Sequence, residues 1–365
     1  MSKRPRTYMR VLNVGDGACA VFTLPWEQSH FIVDCGATTR GKGVESARIL
    51  SDALGESSRK VEAVLITHFD ADHWAGILKF PTQWKAAPAR PVTMRYPHLL
   101  PKRQGGKQQA AHLLLQAALV GASVTPITDI INAWRTAGAT VHASPVKRGD
   151  SFTAAGEDWD VHWPPANTSV FVKVTRDNMH ELADRIDGLA EKSPAFASAI
   201  DSVYEDWLTA ERRSGLPDGT SSGSDVSAAS VVRTLGLDED ELKTITRKLS
   251  AYANMLSVVH STDFVINFGD CELTGLNALL RLQRKDSDLQ STYKVVFAPH
   301  HGTQIPRPSL QHAFPSARER LISQNGPQRL SKAQANVDVI AFKDMITLDK
   351  HINIHEHGHF YYPVR

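Results

Sequence analysis

Residues 61–76 constrain the fold of this chain more than any other stretch. The apolar run 61–66 is typical of a buried strand, and it ends at a threonine. Four side chains that can bind a metal ion follow directly: His68, Asp70, Asp72 and His73. Two imidazoles and two carboxylates packed so closely desolvate and repel one another unless a cation lies among them. The stretch therefore predicts a metal-binding loop at the carboxyl end of a strand, and an exposed polar turn is the alternative.

Composition sets the broad class of protein. The chain has 365 residues, of which 42% are apolar and 22% charged, as in soluble globular proteins. No run of about 18 apolar residues occurs, so we expect no membrane association. Three cysteines without a Cys-x-x-Cys spacing predict buried thiols and a cytoplasmic protein rather than a disulfide framework. The net charge of +2 favours neither the presence nor the absence of a nucleic-acid partner.

Two further strand ends carry residues of the same chemical type. Asp270 follows the apolar run 264–268 and one glycine, and His300 and His301 follow the run 294–297. Active sites of α/β proteins form where strands deliver side chains at their carboxyl ends. We therefore expect Asp270 and the two histidines to join the loop at 68–73. The alternatives are a helix N-cap for Asp270 and ordinary loop positions for the histidines.

The segment after the metal loop is basic. Residues 75–128 contain no Asp or Glu, and they include Lys102, Arg103 and Lys107, which we take as candidate substrate-binding residues. A run of cations beside an anionic metal loop can hold phosphate oxygens. A solvated basic surface explains the same run equally well.

The middle of the chain differs from both ends. Residues 166–250 have mostly helical periodicity, and Asp238 is a predicted N-cap there. We interpret 166–250 as a helical insertion within one domain that spans 1–365, and as a possible lid or partner surface. Strand patterns return after it, and 352–362 predicts a terminal hairpin that turns at Gly358.

The metal loop resembles a known motif. Residues 67–73 look like the first metal motif of the metallo-β-lactamase fold, His-x-His-x-Asp-His, with Asp70 in place of the second histidine. This variant, together with 13–17 and 32–36, is similar to the hydrolase domain of the ComEC competence proteins. The segments 268–270, 299–303 and 322–325 agree with that pattern, as do Asn254 and Ser257. The likeness covers about 1–165 and 250–365.

The resemblance implies an α/β fold of the αββα sandwich type with two divalent metal ions, zinc or manganese. It implies that His68 and Asp70 hold one metal and that Asp72 and His73 hold the other. Asp270 would bridge the two metals, and His301 or His300 would complete the second site. Catalysis by a metal-activated water would then depend on Asp72 and His73. An aspartate in place of a histidine makes the first site a harder one, which favours manganese more than an all-histidine site would.

The chain departs from the fold's usual pattern at the first site. The fold commonly supplies a further histidine between the first motif and the bridging aspartate. Four candidates in that interval lack the matching context: His98, His112, His142 and His162. His162, at the end of a predicted strand, is the best placed of the four, although a packed or solvent-facing histidine is the more common case.

These observations predict a metal-dependent hydrolase that cleaves phosphodiester bonds, most plausibly in DNA or another nucleic acid. Two alternatives stay open at this point. One is a metallohydrolase of a small ester, lactone or thioester. The other is a binding or assembly module that meets a protein partner through the helical insertion.

Overall fold

The first of two sheets holds the amino-terminal strands. A computed structural model describes residues 7–36, 42–83, 88, 90–212, 226–286, 289–326 and 351–363. The first sheet contains β1 (Tyr8–Val11), β2 (Ala20–Leu24), β3 (Ser29–Val33), β4 (Val61–Leu65), β5 (Val92–Pro97), β6 (Val141–Val146) and β14 (Phe360–Pro363). Its spatial order is β14-β1-β2-β3-β4-β5-β6. The strands from β3 to β6 run parallel, so their carboxyl ends share one edge.

The second sheet holds the later strands. It contains β7 (Ser151–Ala154), β8 (Glu157–Trp163), β9 (Val259–Ser261), β10 (Val265–Asn267), β11 (Thr292–Phe297), β12 (Ser316–Ser323) and β13 (His351–Asn353). Its order is β13-β12-β11-β10-β9-β8-β7. The strands β10 to β13 run parallel to one another, so this sheet also has an edge of shared carboxyl ends.

Apolar side chains fill the space between the two sheets. Phe31 of β3 and Trp159 of β8 meet there edge to face, with ring centroids 5.0 Å apart. Ile32, which points to the other side of β3, belongs instead to the cluster beneath the helices. Both faces of the first sheet are therefore buried, as expected for parallel strands covered by helices.

Helices cover both outer faces, which confirms the predicted αββα sandwich. Those against the first sheet are α1 (Lys42–Leu54), α2 (Ala71–Lys79), α3 (Gly106–Val120) and α4 (Pro126–Thr136). The helix α9 (Leu273–Asp286) packs on the second sheet. The helix α2 begins within the stretch predicted as the metal loop, so Asp70 is its N-cap and Asp72 and His73 lie in its first turn.

The block predicted as a helical insertion contains α5 (Lys173–Lys192), α6 (Pro194–Arg212), α7 (Ala228–Arg233) and α8 (Glu239–Met255). Asp238 is the N-cap of α8, as predicted, and its side chain accepts a hydrogen bond from the Glu241 backbone N–H at 2.8 Å. These helices pack against α3. Trp207 of α6 reaches the metal loop, since its ring lies 4.9 Å from that of Phe69. The block therefore lies against the site, although its status as a separate insertion stays a prediction.

The predicted terminal hairpin is wrong. His351–Asn353 pairs with β12 in the second sheet, whereas Phe360–Pro363 pairs with β1 in the first. A short helix, α10 (Ile354–His357), joins them. The last described residues therefore connect the two sheets instead of pairing with each other.

Candidate metal centre

Strand ends from both sheets meet at one place. Asp34 follows β3, the metal loop follows β4, Asp270 follows β10, and His301 follows β11. Since these strands are parallel within each sheet, their carboxyl ends deliver side chains to a common edge. The three strand ends singled out from the sequence come together here, and Asp34 is a fourth.

Four buried side chains form the centre of this site: Asp72, His73, Asp270 and His301. One ligand atom from each lies within 4.8 Å of the others. The Nε2 atom of His73 is 3.4 Å from Asp270 Oδ1 and 3.4 Å from His301 Nε2. The Nε2 atom of His301 is 3.0 Å from Asp270 Oδ2 and 3.5 Å from Asp72 Oδ2. Within the ranges that the structure describes, this is the one such group with ligand atoms so close.

Neighbouring groups orient both histidines. The Nδ1 atom of His73 lies 2.8 Å from Asp34 Oδ2, and the Nδ1 atom of His301 bonds the Gln324 carbonyl oxygen. Each Nδ1 therefore carries a proton, and each Nε2 faces the centre, where it can bind a metal ion once it is deprotonated. Asp34 is itself fixed by Thr67, whose backbone N–H and hydroxyl both donate to it at 2.7 Å. Such outer partners set the tautomer and direction of metal-binding histidines.

Close backbone contacts hold the metal loop in place. The Cys35 N–H donates to the His73 carbonyl at 2.7 Å, and the Ala18 N–H donates to the Asp72 carbonyl at 3.0 Å. A Cβ at position 36 would lie 2.2 Å from the Asp72 carbonyl carbon. Only glycine therefore allows the chain after β3 to approach the loop this closely.

The charges in the centre depend on one another. Burial alone would lower the pKa of His73, but the carboxylates of Asp270 and Asp34 outweigh burial and hold the pKa well above its ordinary value. Burial would raise the pKa of Asp270, but the imidazoles of His301 and His73 hold it well below its ordinary value. The centre therefore stabilises positive charge among carboxylates.

The chemistry of this donor set fits a divalent cation. Two imidazole nitrogens and two carboxylates are acceptable ligands for zinc and for manganese. All four side chains are buried, and two partner groups aim the imidazole lone pairs inward. The four residues that would hold the metal are Asp72, His73, Asp270 and His301.

The structure separates the two adjacent histidines that the sequence left as alternatives. His301 belongs to the central group, whereas His300 does not. The Nε2 atom of His300 is 3.7 Å from Asp270 Oδ2, and its Nδ1 atom is 3.8 Å from Glu272 Oε1. His300 is also the more exposed of the two, so it lies at the rim of the site.

His68 and Asp70 lie beside the central group but outside it. The ring of His68 is 4.0 Å from that of His73 between centroids, and His68 Nε2 is 3.6 Å from Asp70 Oδ2. The other carboxylate oxygen, Asp70 Oδ1, lies 2.6 Å from His112 Nε2. Burial would raise the pKa of Asp70, but His112 and His68 hold it well below its ordinary value. The predicted pair is therefore adjacent to the centre, and a second metal ion stays a prediction.

His162, the best placed of the four candidates in the sequence, is a packed histidine, as in the more common case. Its Nε2 atom lies 2.8 Å from Ser261 Oγ, between two strands of the second sheet. The histidine that reaches the first site is His112 of α3, through Asp70. Because His112 lies on a helix remote in sequence from the loop, no local pattern marked it. Asp34 lies in the segment 32–36 that carries part of the resemblance. Its position at the end of a predicted strand marks it as a candidate site residue.

The predicted cations line a cleft. Lys102, Arg103 and Lys107 border a cavity of about 1030 Å³ between the start of α3 and the helix α5. Acids of the helical block neutralise two of them, because Lys102 pairs with Asp201 at 2.9 Å and Lys107 with Asp187 at 2.6 Å. Arg176 and His180 of α5 also line the cleft. Two of the three cations are therefore already paired, and their role in substrate binding stays a prediction.

The cleft and the metal loop share helix α3. Gln108 lines the cleft, and His112, one turn later on the same face, contacts Asp70. Four residues of α-helix span about 6 Å. Gln108 of the cleft lining therefore lies one turn of α3 before His112, while no residue of the metal centre is among the described residues that line the cleft.

The fold and the site define a metallo-β-lactamase fold with a candidate metal centre. In agreement, residues 15–180 match the model of the metallo-beta-lactamase superfamily, which is somewhat less than half of the chain. The matched segment includes the metal loop and ends before Asp270 and His301. Members of this superfamily are mostly metal-dependent hydrolases.

Comparison with solved structures gives distant similarities. The metallo-beta-lactamase fold protein YhfI from Bacillus subtilis is 8% identical, with 98% of this chain and 99% of that chain covered and a TM-score of 0.43. A metallo-β-lactamase motif mutant from Cronobacter sakazakii is 20% identical over 41% of this chain and 48% of that chain, with a TM-score of 0.26. The metallo-β-lactamase SMB-1 is 13% identical over 67% of this chain and 95% of that one, with a TM-score of 0.28. No curated protein matches the chain.

One further finding concerns the helices. Across the described ranges, none is long and apolar enough to cross a membrane.

Proposed function

We propose that this protein is a metal-dependent hydrolase that cleaves phosphodiester bonds of nucleic acid. The observation that carries the proposal is the buried group Asp72, His73, Asp270 and His301, with both imidazole lone pairs directed inward. A divalent metal at such a site lowers the pKa of a bound water and polarises a phosphoryl oxygen. The resemblance of the metal loop to ComEC-type hydrolase domains supports a phosphodiester rather than a lactam substrate.

The protein's own residues orient the two imidazole rings and fix which nitrogen of each ring carries a proton. Asp34 and the Gln324 carbonyl keep the two Nδ1 atoms protonated, so the Nε2 atoms stay available. His300, at the rim 3.7 Å from Asp270, is placed to donate a hydrogen bond to a substrate oxygen. The short contacts inside the group exclude bulk water from the ligand atoms.

The cleft beside α3 supports a polyanionic substrate. Arg103, Lys107 and Arg176 place guanidinium and ammonium groups along one cavity, and Gln108 of its lining lies one turn of α3 before His112. A phosphate that replaces Asp187 at Lys107 would keep that charge paired. In this proposal residues 166–250 form one wall of the substrate cleft, and any protein partner would also meet the chain there.

The test is cleavage by the manganese-loaded and the zinc-loaded protein. We expect cleavage of plasmid DNA or of RNA oligonucleotides, and loss of that cleavage in the double variant Asp72→Ala/His73→Ala with folding retained. If the protein hydrolyses a small ester, lactone or thioester and cuts no nucleic acid, the proposed substrate is wrong and the alternative substrate class is correct. If a cellular effect survives in the double variant, the binding-module alternative is correct instead.

Substitutions in the cleft test its role separately from the chemistry. Arg103→Gln/Lys107→Gln should weaken binding of a long nucleic acid and leave turnover of a small phosphodiester unchanged. The slope of log affinity against log salt should become shallower by roughly 0.7–0.9 per lost phosphate contact. Lys243→Gln is the matched control, because Lys243 is exposed on α8 and pairs with Glu239 away from the cleft.

A further inference from the structure

The two carboxylate oxygens of Asp70 have different surroundings: one is hydrogen-bonded, and the other faces His68. Oδ1 lies 2.6 Å from His112 Nε2 and accepts a hydrogen bond from Ser250 Oγ at 3.0 Å. Oδ2 faces His68 Nε2 at 3.6 Å. Two helices, α3 and α8, therefore fix the direction of this carboxylate. This arrangement parallels the central group, where Asp34 and Gln324 fix the two imidazoles.

His68 is oriented in the same manner. Its Nδ1 atom lies 3.3 Å from the Thr67 hydroxyl, on the side of the ring away from Asp70. The Nε2 atom is thus the one that faces Asp70 Oδ2. A buried imidazole nitrogen and a buried carboxylate oxygen converge here.

The side-chain amide of Asn254 reaches the same point. One of its two polar atoms lies 3.0 Å from His68 Nε2 and 3.2 Å from Asp70 Oδ2, and as the nitrogen it would donate a hydrogen bond to both. The Ser250 carbonyl oxygen is a further neighbour at 3.1 Å, and Asn254 is buried. Buried acceptors that face each other without a donor or a cation are costly. Either a cation lies among them, or the amide turns over so that its nitrogen donates to the same atoms.

We propose that Asn254 is the third protein ligand of a second metal position, together with His68 and Asp70. It takes the place of the histidine that the sequence lacks. Asn254 lies in the last turn of α8, the final helix of the helical block. One nitrogen and two oxygen donors make a harder site than an all-histidine one, so this position favours Mn²⁺ or Mg²⁺. His112 and Ser250 are positioning residues, because they hold the Asp70 oxygen that does not face this position.

The substitution Asn254→Asp separates the two roles of the amide. An aspartate keeps an oxygen that can bind a metal ion, but it cannot donate a hydrogen bond as the amide nitrogen does. Asn254→Ala removes both capacities. Asn277→Ala is the matched control, since Asn277 is also buried, and its side chain accepts from the Arg307 N–H away from the site.

The experiment is a manganese titration of the full chain, followed by metal analysis and by electron paramagnetic resonance. We expect two equivalents with a spin-coupled signal in the unchanged protein, in Asn254→Asp and in Asn277→Ala. Asn254→Ala should keep the tighter equivalent and lose the second, with an uncoupled signal. The retained equivalent and an unchanged circular dichroism spectrum show that the variant is folded.

Two results would overturn the inference. One is saturation of the unchanged protein at a single equivalent, which would mean that the Asn254 amide donates hydrogen bonds to His68 and Asp70. The other is a second equivalent that binds Asn254→Ala as tightly as the unchanged protein. A chain that binds two metals and cuts no nucleic acid leaves this inference intact and refutes only the proposed substrate.

Discussion

The two halves of the candidate metal centre are built in different ways. In the half with Asp72, His73, Asp270 and His301, the last two residues follow strands, and the first two lie in the first turn of α2 after β4. Its outer partners, Asp34 and Gln324, also follow strands. The half with His68 and Asp70 is completed by helices, through His112 of α3 and Ser250 and Asn254 of α8. Strand ends and the backbone contacts of Cys35 and Ala18 with the start of α2 position the first half. The second half depends on how the helical block packs onto α3.

The largest expected effect follows removal of a ligand from the strand-end half. His301→Ala leaves Asp270 and Asp72 facing each other without the imidazole between them. We expect metal affinity to fall by more than the roughly 10–100-fold that loss of an outer partner causes. Nucleic-acid cleavage should fall with it. Metal content after dialysis checks this prediction, and full retention of the tight equivalent would place the metal elsewhere.

The next effect concerns the outer partner of His73. Asp34→Asn weakens the hold on the Nδ1–H of His73 and keeps most of the side chain's volume. We expect metal affinity to fall by roughly 10–100-fold. Isothermal titration with zinc measures this change. An unchanged affinity would show that sheet geometry positions His73 without help from Asp34.

A third effect is the dependence of metal binding on pH. The pKa of His73 is raised well above its ordinary value, so a proton competes with the metal up to a higher pH than at an isolated imidazole. Affinity should therefore rise with pH, by about tenfold per pH unit for one displaced proton, and level off above the pKa of His73. In Asp34→Asn, metal affinity should stop rising at a lower pH, because Asp34 is one of the charges that raise the pKa of His73.

The metal-free protein should show the opposite trend in stability. The raised pKa of His73 gives stability that is complete below about pH 6.5 and is lost as the pH rises through the raised value. The lowered pKa values of Asp70 and Asp270 give stability that is present above about pH 4 and is lost as the pH falls. Thermal unfolding in chelator should thus be most resistant between about pH 4 and 6.5. A metal-free protein that gains stability from pH 6.5 to 8 would contradict this.

The contrast between the halves also explains what the sequence could predict. The metal loop, Asp270 and the histidines at 300–301 were found because each follows an apolar run that predicts a strand. The αββα sandwich followed from the resemblance of the same segments. His112 and Ser250 were missed because a residue's place on a helix does not tell which distant loop that helix meets. The prediction of a terminal hairpin was wrong for a related reason, because the pairing partners of short strands depend on the whole sheet.

The smallest effect belongs to the helical half. His112→Gln keeps a donor that can reach Asp70 but removes the short bond to Oδ1. We expect the second manganese equivalent to weaken by roughly tenfold, at the low end of outer-partner effects, and the first to keep its affinity. His260→Gln is the control, because His260 is buried in the second sheet, away from the metal loop. Equal weakening of both equivalents by His112→Gln would mean that α3 supports the whole centre, and the division into two independently built halves would then fail.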